Sequence, residues 1–434
     1  MIRAGSIERG ERPARTLFGH PAGLTVLFTT QMWAEFSFFG LQALLVYYMT
    51  KQLGFPQAKS SLIYGAYGAA AFFSPFFGGL IADKWLGRTP SVIAGGVMMM
   101  FGHFAMAFPA LLFPALALVA LGNGLFIPPL AVQVGSLYAD DDPRKAYAYS
   151  AYYMGINLGG FLAPLVCGTL GELYGWHWGF TAAGIGMAIG LTGYCSFLRL
   201  LPPEPNRAEL AAEDRPDAAP IIPKHVAILL LMVAMVVLFR VGYEQSGNVI
   251  ALWVRDFTDR SIDLFGWQTE IPATWFQSIN PLLIILGTPV LIRIWRSGKK
   301  QETTAHLLTR MAIGCVIAAA AMVTMVLAAL ASGAGGARVS SLWVFAYFVL
   351  LTLGELYVIP VGLTLIESLA PVRFASMAMG AWYIAKFLGS LLAGIMGAYW
   401  LVIPPWAFFC LGMSSTIIAA ICLYSMARVI RTKG

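Results

Sequence analysis

The chain has 434 residues, of which 59% are hydrophobic and only 11% charged, whereas soluble domains carry about a quarter of their residues as charges. That balance excludes a soluble globular protein and implies an all-α polytopic membrane protein. The net charge of +7 does not point to nucleic acid, because the basic residues lie in short loops between apolar runs and form no face that could follow phosphates.

Residues 1–20 are polar and basic, with Arg3, Arg9, Arg12 and Arg15 and no apolar core ahead of a cleavage site, so no signal peptide is expected. Taking about 20 apolar residues as one crossing, spans are expected near 23–50, 60–82, 91–108, 110–138, 147–172, 178–200, 225–252, 271–295, 304–332, 340–369, 374–399 and 404–427. Lys84 and Arg88, Arg144 and Lys145, Arg293, Arg296, Lys299 and Lys300, Arg373, and the tail Arg428, Arg431 and Lys433 fall on one side of that arrangement. By the positive-inside rule both termini are expected in the cytoplasm. The five cysteines, Cys167, Cys195, Cys315, Cys410 and Cys422, sit inside apolar runs without C-x-x-C spacing, which indicates neither a disulfide framework nor a zinc site. No metal or cofactor is expected.

The first span contains Thr30-Gln31-Met32-Trp33-Ala34-Glu35-Phe36-Ser37-Phe38-Phe39-Gly40. A charge at the centre of a membrane helix costs about 2.5 to 3.5 kcal/mol on insertion scales, so Glu35 is expected to face the bundle interior on a substrate or proton path, or to pair with a neighbour. Between spans two and three, Gly78-Gly79-Leu80-Ile81-Ala82-Asp83-Lys84-Trp85-Leu86-Gly87-Arg88 combines turn glycines with Asp83, which can cap a facing helix, and Arg88, which can bridge to an acid. Span four carries Gly122-Asn123-Gly124-Leu125-Phe126-Ile127-Pro128-Pro129. In span five, Gly155 and Gly159 have the spacing of close helix contact, and Asn157 offers a mid-membrane hydrogen bond, either to substrate or between helices.

The one long hydrophilic segment, Pro202 to Pro223, divides the chain into an N-terminal half (1–201), a linker (202–223) and a C-terminal half (224–434) of six spans each. In the second half the runs Tyr243-Glu244-Gln245-Ser246-Gly247, Trp275-Phe276-Gln277-Ser278-Ile279-Asn280-Pro281, Gly354-Glu355-Leu356 with Pro360-Val361-Gly362, and Gly380-Ala381-Trp382-Tyr383-Ile384-Ala385-Lys386 place further polar groups at membrane depth. Arg240 also lies inside its span, four residues before Glu244, where the two can pair.

These motifs, taken together and in order, resemble those of the proton-dependent oligopeptide transporter (POT) family of the major facilitator superfamily. Its patterns are E-x-x-E-R-F-x-Y-Y-G, G-x-G-L-F-K-P-N, F-Y-x-x-I-N-x-G, F-E-Q-x-G, W-F-Q-S-x-N-P and G-E-L-x-x-x-P-x-G. Gln31 and Ala34 stand where the family has two glutamates, Glu35 where it has arginine, and Ile127 where it has lysine. A basic group is also absent at Gln42. The resemblance implies a major facilitator fold and a monomeric secondary transporter of short peptides or peptide-like molecules in a bacterial inner membrane, with protons as a further partner. Export of a drug or secreted metabolite is the alternative. It also implies that Glu355, Asn157 and Asn280 hold a peptide's amino group and that Tyr67 and Trp382 wall the site. With the usual N-terminal charges gone, Lys386 and Arg240 are expected to contact substrate or to form structural pairs, Lys386 with Glu355. Proton coupling is expected at Glu244 or Glu35.

Overall fold

The computed structural model describes residues 16–17, 19–139, 142–203, 223–264, 267–296, 303–333, 336–369 and 375–433. Most of the expected linker lies outside these residues, as do Lys299, Lys300 and Arg373. The first six long helices are α1 (Ala22–Tyr47), α2 (Gln57–Ile81), α3 (Arg88–Ala105), α4 (Leu112–Gly135), α5 (Arg144–Ala163) and α6 (Trp176–Ser196). The second six are α7 (Pro223–Tyr243), α8 (Ile279–Arg296), α9 (Thr304–Ala331), α10 (Leu342–Leu369), α11 (Ala375–Ala398) and α12 (Pro405–Lys433). Turns before α3 and α6 close on Gly87 and Gly175, at φ +90° and +123°, where a side chain would be strained.

Among the described residues, eight helices are long and apolar enough to cross a membrane by length and composition. In α1 the apolar content is diluted by Gln31 and Glu35, which are buried in the bundle. The seventh span is not the single rod expected over 225–252. It tightens into a 3₁₀ turn over Glu244–Gly247, leaves helical geometry at Asn248 (φ −109°, ψ −95°), and resumes over Val249–Phe257. A break at membrane depth is tolerated where it is buried in protein and polar groups find partners; here Gln245 Nε2 donates to the Val241 carbonyl at 3.2 Å and to the Ala393 carbonyl of α11 at 3.0 Å, and Ser61 of α2 donates to Asn248 Oδ1 at 2.8 Å.

The halves are built alike. In the first, α2 packs on α4, α3 on α4 and α6, and α1 on α5 and α6; in the second, α8 packs on α10, α9 on α10 and α12, and α7 on α11 and α12. Each contact recurs six helices later. Across the halves the main partners are α2 with α11 and α5 with α8, which obey the same rule.

Glycines set the closest approaches. A Cβ added at Gly159 would lie 2.2 Å from the Met32 carbonyl oxygen of α1, and one at Gly78 would lie 2.0 Å from that of Gly124 on α4. The Gly122-Asn123-Gly124 run is therefore a helix-packing device, and Asn123 Nδ2 donates to the Ala71 carbonyl of α2 at 3.1 Å.

At the end of the bundle away from the termini, the halves are stitched by hydrogen bonds. Glu172 accepts the backbone N–H groups of Ala273 (3.0 Å) and Thr274 (2.8 Å), Tyr47 donates to the Ala251 carbonyl (2.8 Å), and Ser278 donates to the Phe161 carbonyl (2.8 Å). Gln57 Nε2 donates to the Gly397 carbonyl at 2.8 Å, and Trp275 Nε1 to Thr169 Oγ1 at 2.8 Å. At the opposite end, Arg144 forks onto Asp142 and holds that carboxyl below its usual range. The same guanidinium reaches the Gly19 carbonyl at 3.0 Å.

Candidate substrate site

Three polar groups meet at mid-bundle between the halves. The first is on α1, where Gln31 and Glu35 lie one turn apart, so that Gln31 Nε2 donates to Glu35 Oε1 at 2.7 Å. Tyr152 of α5 donates its hydroxyl to Gln31 Oε1, also at 2.7 Å. With a donor on one side and an acceptor on the other, the amide has one satisfactory orientation, and it fixes a carboxylate that is only 9% exposed.

The second group is on α7. Arg240 and Glu244, one helical turn apart, form an ion pair with side chains 6% and 7% exposed. Gly389 of α11 makes room for it, since an added Cβ would stand 2.5 Å from Arg240 Cβ. The guanidinium also lies 5.1 Å from the centre of the Phe72 ring on α2 and 5.4 Å from that of Tyr243, within cation–π range.

The third group surrounds Glu355 of α10. Asn280 of α8 donates from Nδ2 to Glu355 Oε2 at 2.8 Å and to Thr352 Oγ1 at 3.0 Å, while Tyr243 donates to Glu355 Oε1 at 3.1 Å. Both oxygens of a buried carboxylate are thus held by neutral donors. Among the described residues no basic side chain comes within 4.0 Å of it, so the expected Glu355–Lys386 bridge is not formed. The reason is geometric: Asn280 and Tyr243 take the oxygens, and Lys386 Nζ of α11 rests 5.0 Å from the Phe72 ring centre and 5.5 Å from that of Tyr383. Lys386 is within electrostatic reach of Arg240, Glu35, Glu244 and Glu355. Its place is between the carboxylates, not on one of them.

Other expected residues border these groups or lie apart from them. Asn157 donates to the Tyr153 carbonyl of its own helix at 2.9 Å. The Tyr67 ring stacks on Phe38 at 6.0 Å, and its hydroxyl is buried without a partner. Trp382 is 4% exposed and packs inside the second half, where a Cβ on Gly362 would lie 2.7 Å from its ring. Asp83 lies in the turn before Gly87, and Arg88 reaches Ser136 Oγ of the α4 end at 3.2 Å. That loop is remote from the three central groups and belongs to the packing of the first half.

The Major Facilitator Superfamily model matches residues 27–394, and the peptide transporter YePEPT of Yersinia enterocolitica subsp. palearctica is 34% identical over 89% of each chain. The chain belongs to the POT family of that superfamily. A di-/tripeptide transporter of Lactococcus lactis subsp. cremoris is 32% identical, over 86% of this chain and 88% of its own. A solved POT family transporter in complex with 5-aminolevulinic acid aligns with TM-score 0.86 at 26% identity, covering 96% of this chain and 98% of that one. A mutant peptide transporter POT in complex with alafosfalin aligns with TM-score 0.85 at 29% identity, over 96% of each chain. As a POT family member the chain is a multi-pass membrane transporter, not an enzyme.

Within this POT chain, sequence reasoning missed Tyr243, Tyr152 and Phe72. Tyr243 adjoins Glu244 in a quoted motif, and helical spacing from Arg240 could have turned it inward. Phe72 carries a subtler signal: Gly65, Gly68 and Phe72 fall on one helical face, as do Lys386, Ser390 and Gly394 on α11.

Proposed function

We propose that this POT family chain carries short peptides or peptide-like molecules across a bacterial inner membrane by alternating access, with residues 1–201 and 224–434 as the rocking bodies. The names of its relatives support the substrate class, and the complex with alafosfalin supports a peptide-like ligand. The observation that carries the reading is Glu355. Asn280 and Tyr243 hydrogen-bond this buried carboxylate while, among the described residues, no cation touches it, and a ligand's ammonium supplies a direct counter-charge. The ligand's carboxylate is then drawn toward Lys386 and Arg240.

Replacing Glu355 by Gln removes one charge-assisted hydrogen bond worth about 1.5 to 3 kcal/mol, or ten- to a hundredfold in affinity. In proteoliposomes, Glu355→Gln is expected to lose that factor for dialanine and little for N-acetyl-dialanine. Equal loss for both places the amine elsewhere.

The bonded end of the bundle lies opposite the basic termini, which fits a resting state open to the cytoplasm, with both termini there and the protein acting as a monomer. Coupling to protons is assigned to Glu35 or Glu244, the carboxylates nearest the two cations. Uptake of dialanine should follow an imposed pH gradient, and Glu35→Gln or Glu244→Gln should abolish the response. Uptake indifferent to both gradient and potential makes the protein a facilitator.

A further inference from the structure

We infer that Phe72 is a positioning residue, a ring face from the first half on which both cavity cations of the second half rest. This builds on the peptide-transport reading above and names what sets the carboxylate end of that site. At the α2–α11 seam the two helices run antiparallel. A Cβ on Gly65 would lie 2.5 Å from Gly394 Cα, and one on Gly68 would lie 3.3 Å from Ser390 Cβ. One turn further the same face brings Phe72 to Lys386, 5.0 Å from ring centre to Nζ. Beside it Phe73 meets Phe387 at 5.0 Å. The tight glycine contacts fix the register, so Phe72 has little freedom to leave its place.

The same ring lies 5.1 Å from the Arg240 guanidinium. One neutral side chain thereby holds two like charges, on α7 and α11, that would otherwise repel. Three carboxylates, Glu35, Glu244 and Glu355, compete for those cations. Glu244 takes Arg240, but among the described residues no carboxylate oxygen lies within 4.0 Å of Lys386. A ring face attracts an ammonium without neutralising it. Lys386 is therefore oriented and available to a ligand carboxylate, where an acidic partner in direct contact would have consumed it.

The test replaces Phe72 by mono-, di- and trifluoro-phenylalanine, which drain the ring face of electron density at nearly constant shape, with Phe72→Tyr and Phe72→Leu alongside. Two quantities are measured: the unfolding midpoint in detergent, in otherwise wild-type and Lys386→Met backgrounds, and the preference of uptake for dialanine over dialanine amide. Expected are a stepwise fall in midpoint with fluorination that is shallower in Lys386→Met, and a fall in acid-over-amide preference on the order of three- to tenfold for the trifluoro and Leu variants. Phe72→Tyr should retain the preference. Parallel midpoint series in the two backgrounds overturn the contact whatever the ligand is. A Lys386-dependent midpoint series with a flat preference overturns the positioning role. A Lys386-dependent series in a wild type that neither takes up nor binds dialanine leaves the contact standing and overturns the substrate reading instead.

Discussion

The first half brings one carboxylate to the centre of the bundle and surrounds it with neutral groups, in the chain Tyr152 to Gln31 to Glu35. The second half, built on the same pattern of helix contacts, brings Arg240, Glu244, Glu355 and Lys386 to the same depth. A shared scaffold thus carries unlike electrostatics. Helix packing is set by glycines and apolar faces that are indifferent to what the inward side chains carry, so polar groups can move between halves without disturbing the fold. A carboxylate without an ion-pair partner, such as Glu35 or Glu355, is held instead by neutral donors, because a lone charge in a dry interior is costly. Total charge is accordingly near balance, with three carboxylates against two cations.

That contrast can be broken by single substitutions. The largest effect is expected for Arg240→Met, which leaves Glu244 buried without its counter-charge and should cost about 3 to 5 kcal/mol of stability. Adding Glu244→Gln to it should recover most of the loss, as read from unfolding midpoints in detergent. If the double variant is no better than the single, the pair is not the unit the geometry describes. Gln31→Leu in the first half should cost less, about 1 to 3 kcal/mol, since it strands a hydroxyl and one carboxylate oxygen but no opposite charge. Losses as large as those of Arg240→Met would mean that both halves depend on charge alike. Tyr152→Phe, which removes only the outer donor of the chain, should be smallest at about 0.5 to 1.5 kcal/mol.

The architecture was legible because apolar length and the placement of Lys and Arg are direct physical consequences of a bilayer. Glu355 and Asn280 were legible from their motifs, although the hydrogen bond between them was not. The break in the seventh span escaped notice because Glu244-Gln245-Ser246-Gly247 interrupts apolarity for only four residues, and part of what holds it comes from α2 and α11. Asn157 and Trp382 could not be placed from sequence, since an amide can bond its own helix and an indole can fill a core as readily as line a site. Phe72 was hidden for a related reason. Within Ala71-Phe72-Phe73-Ser74-Pro75-Phe76-Phe77 composition does not separate the ring that meets cations from those that meet lipid or one another, and only the face it shares with Gly65 and Gly68 marks it.

The stitched end of the bundle has a consequence for how such a protein can change over time. Most of its cross-half bonds end on main-chain atoms: Tyr47 on the Ala251 carbonyl, Ser278 on that of Phe161, Gln57 on that of Gly397, and Glu172 on the N–H groups of Ala273 and Thr274. A peptide group is supplied by whatever residue occupies the position, proline's missing N–H aside. Gly397 aside, where a Cβ would meet Asn248 Nδ2 at 2.3 Å, these bonds do not depend on the identity of the receiving side chain, and the seam can persist while the residues that line it change.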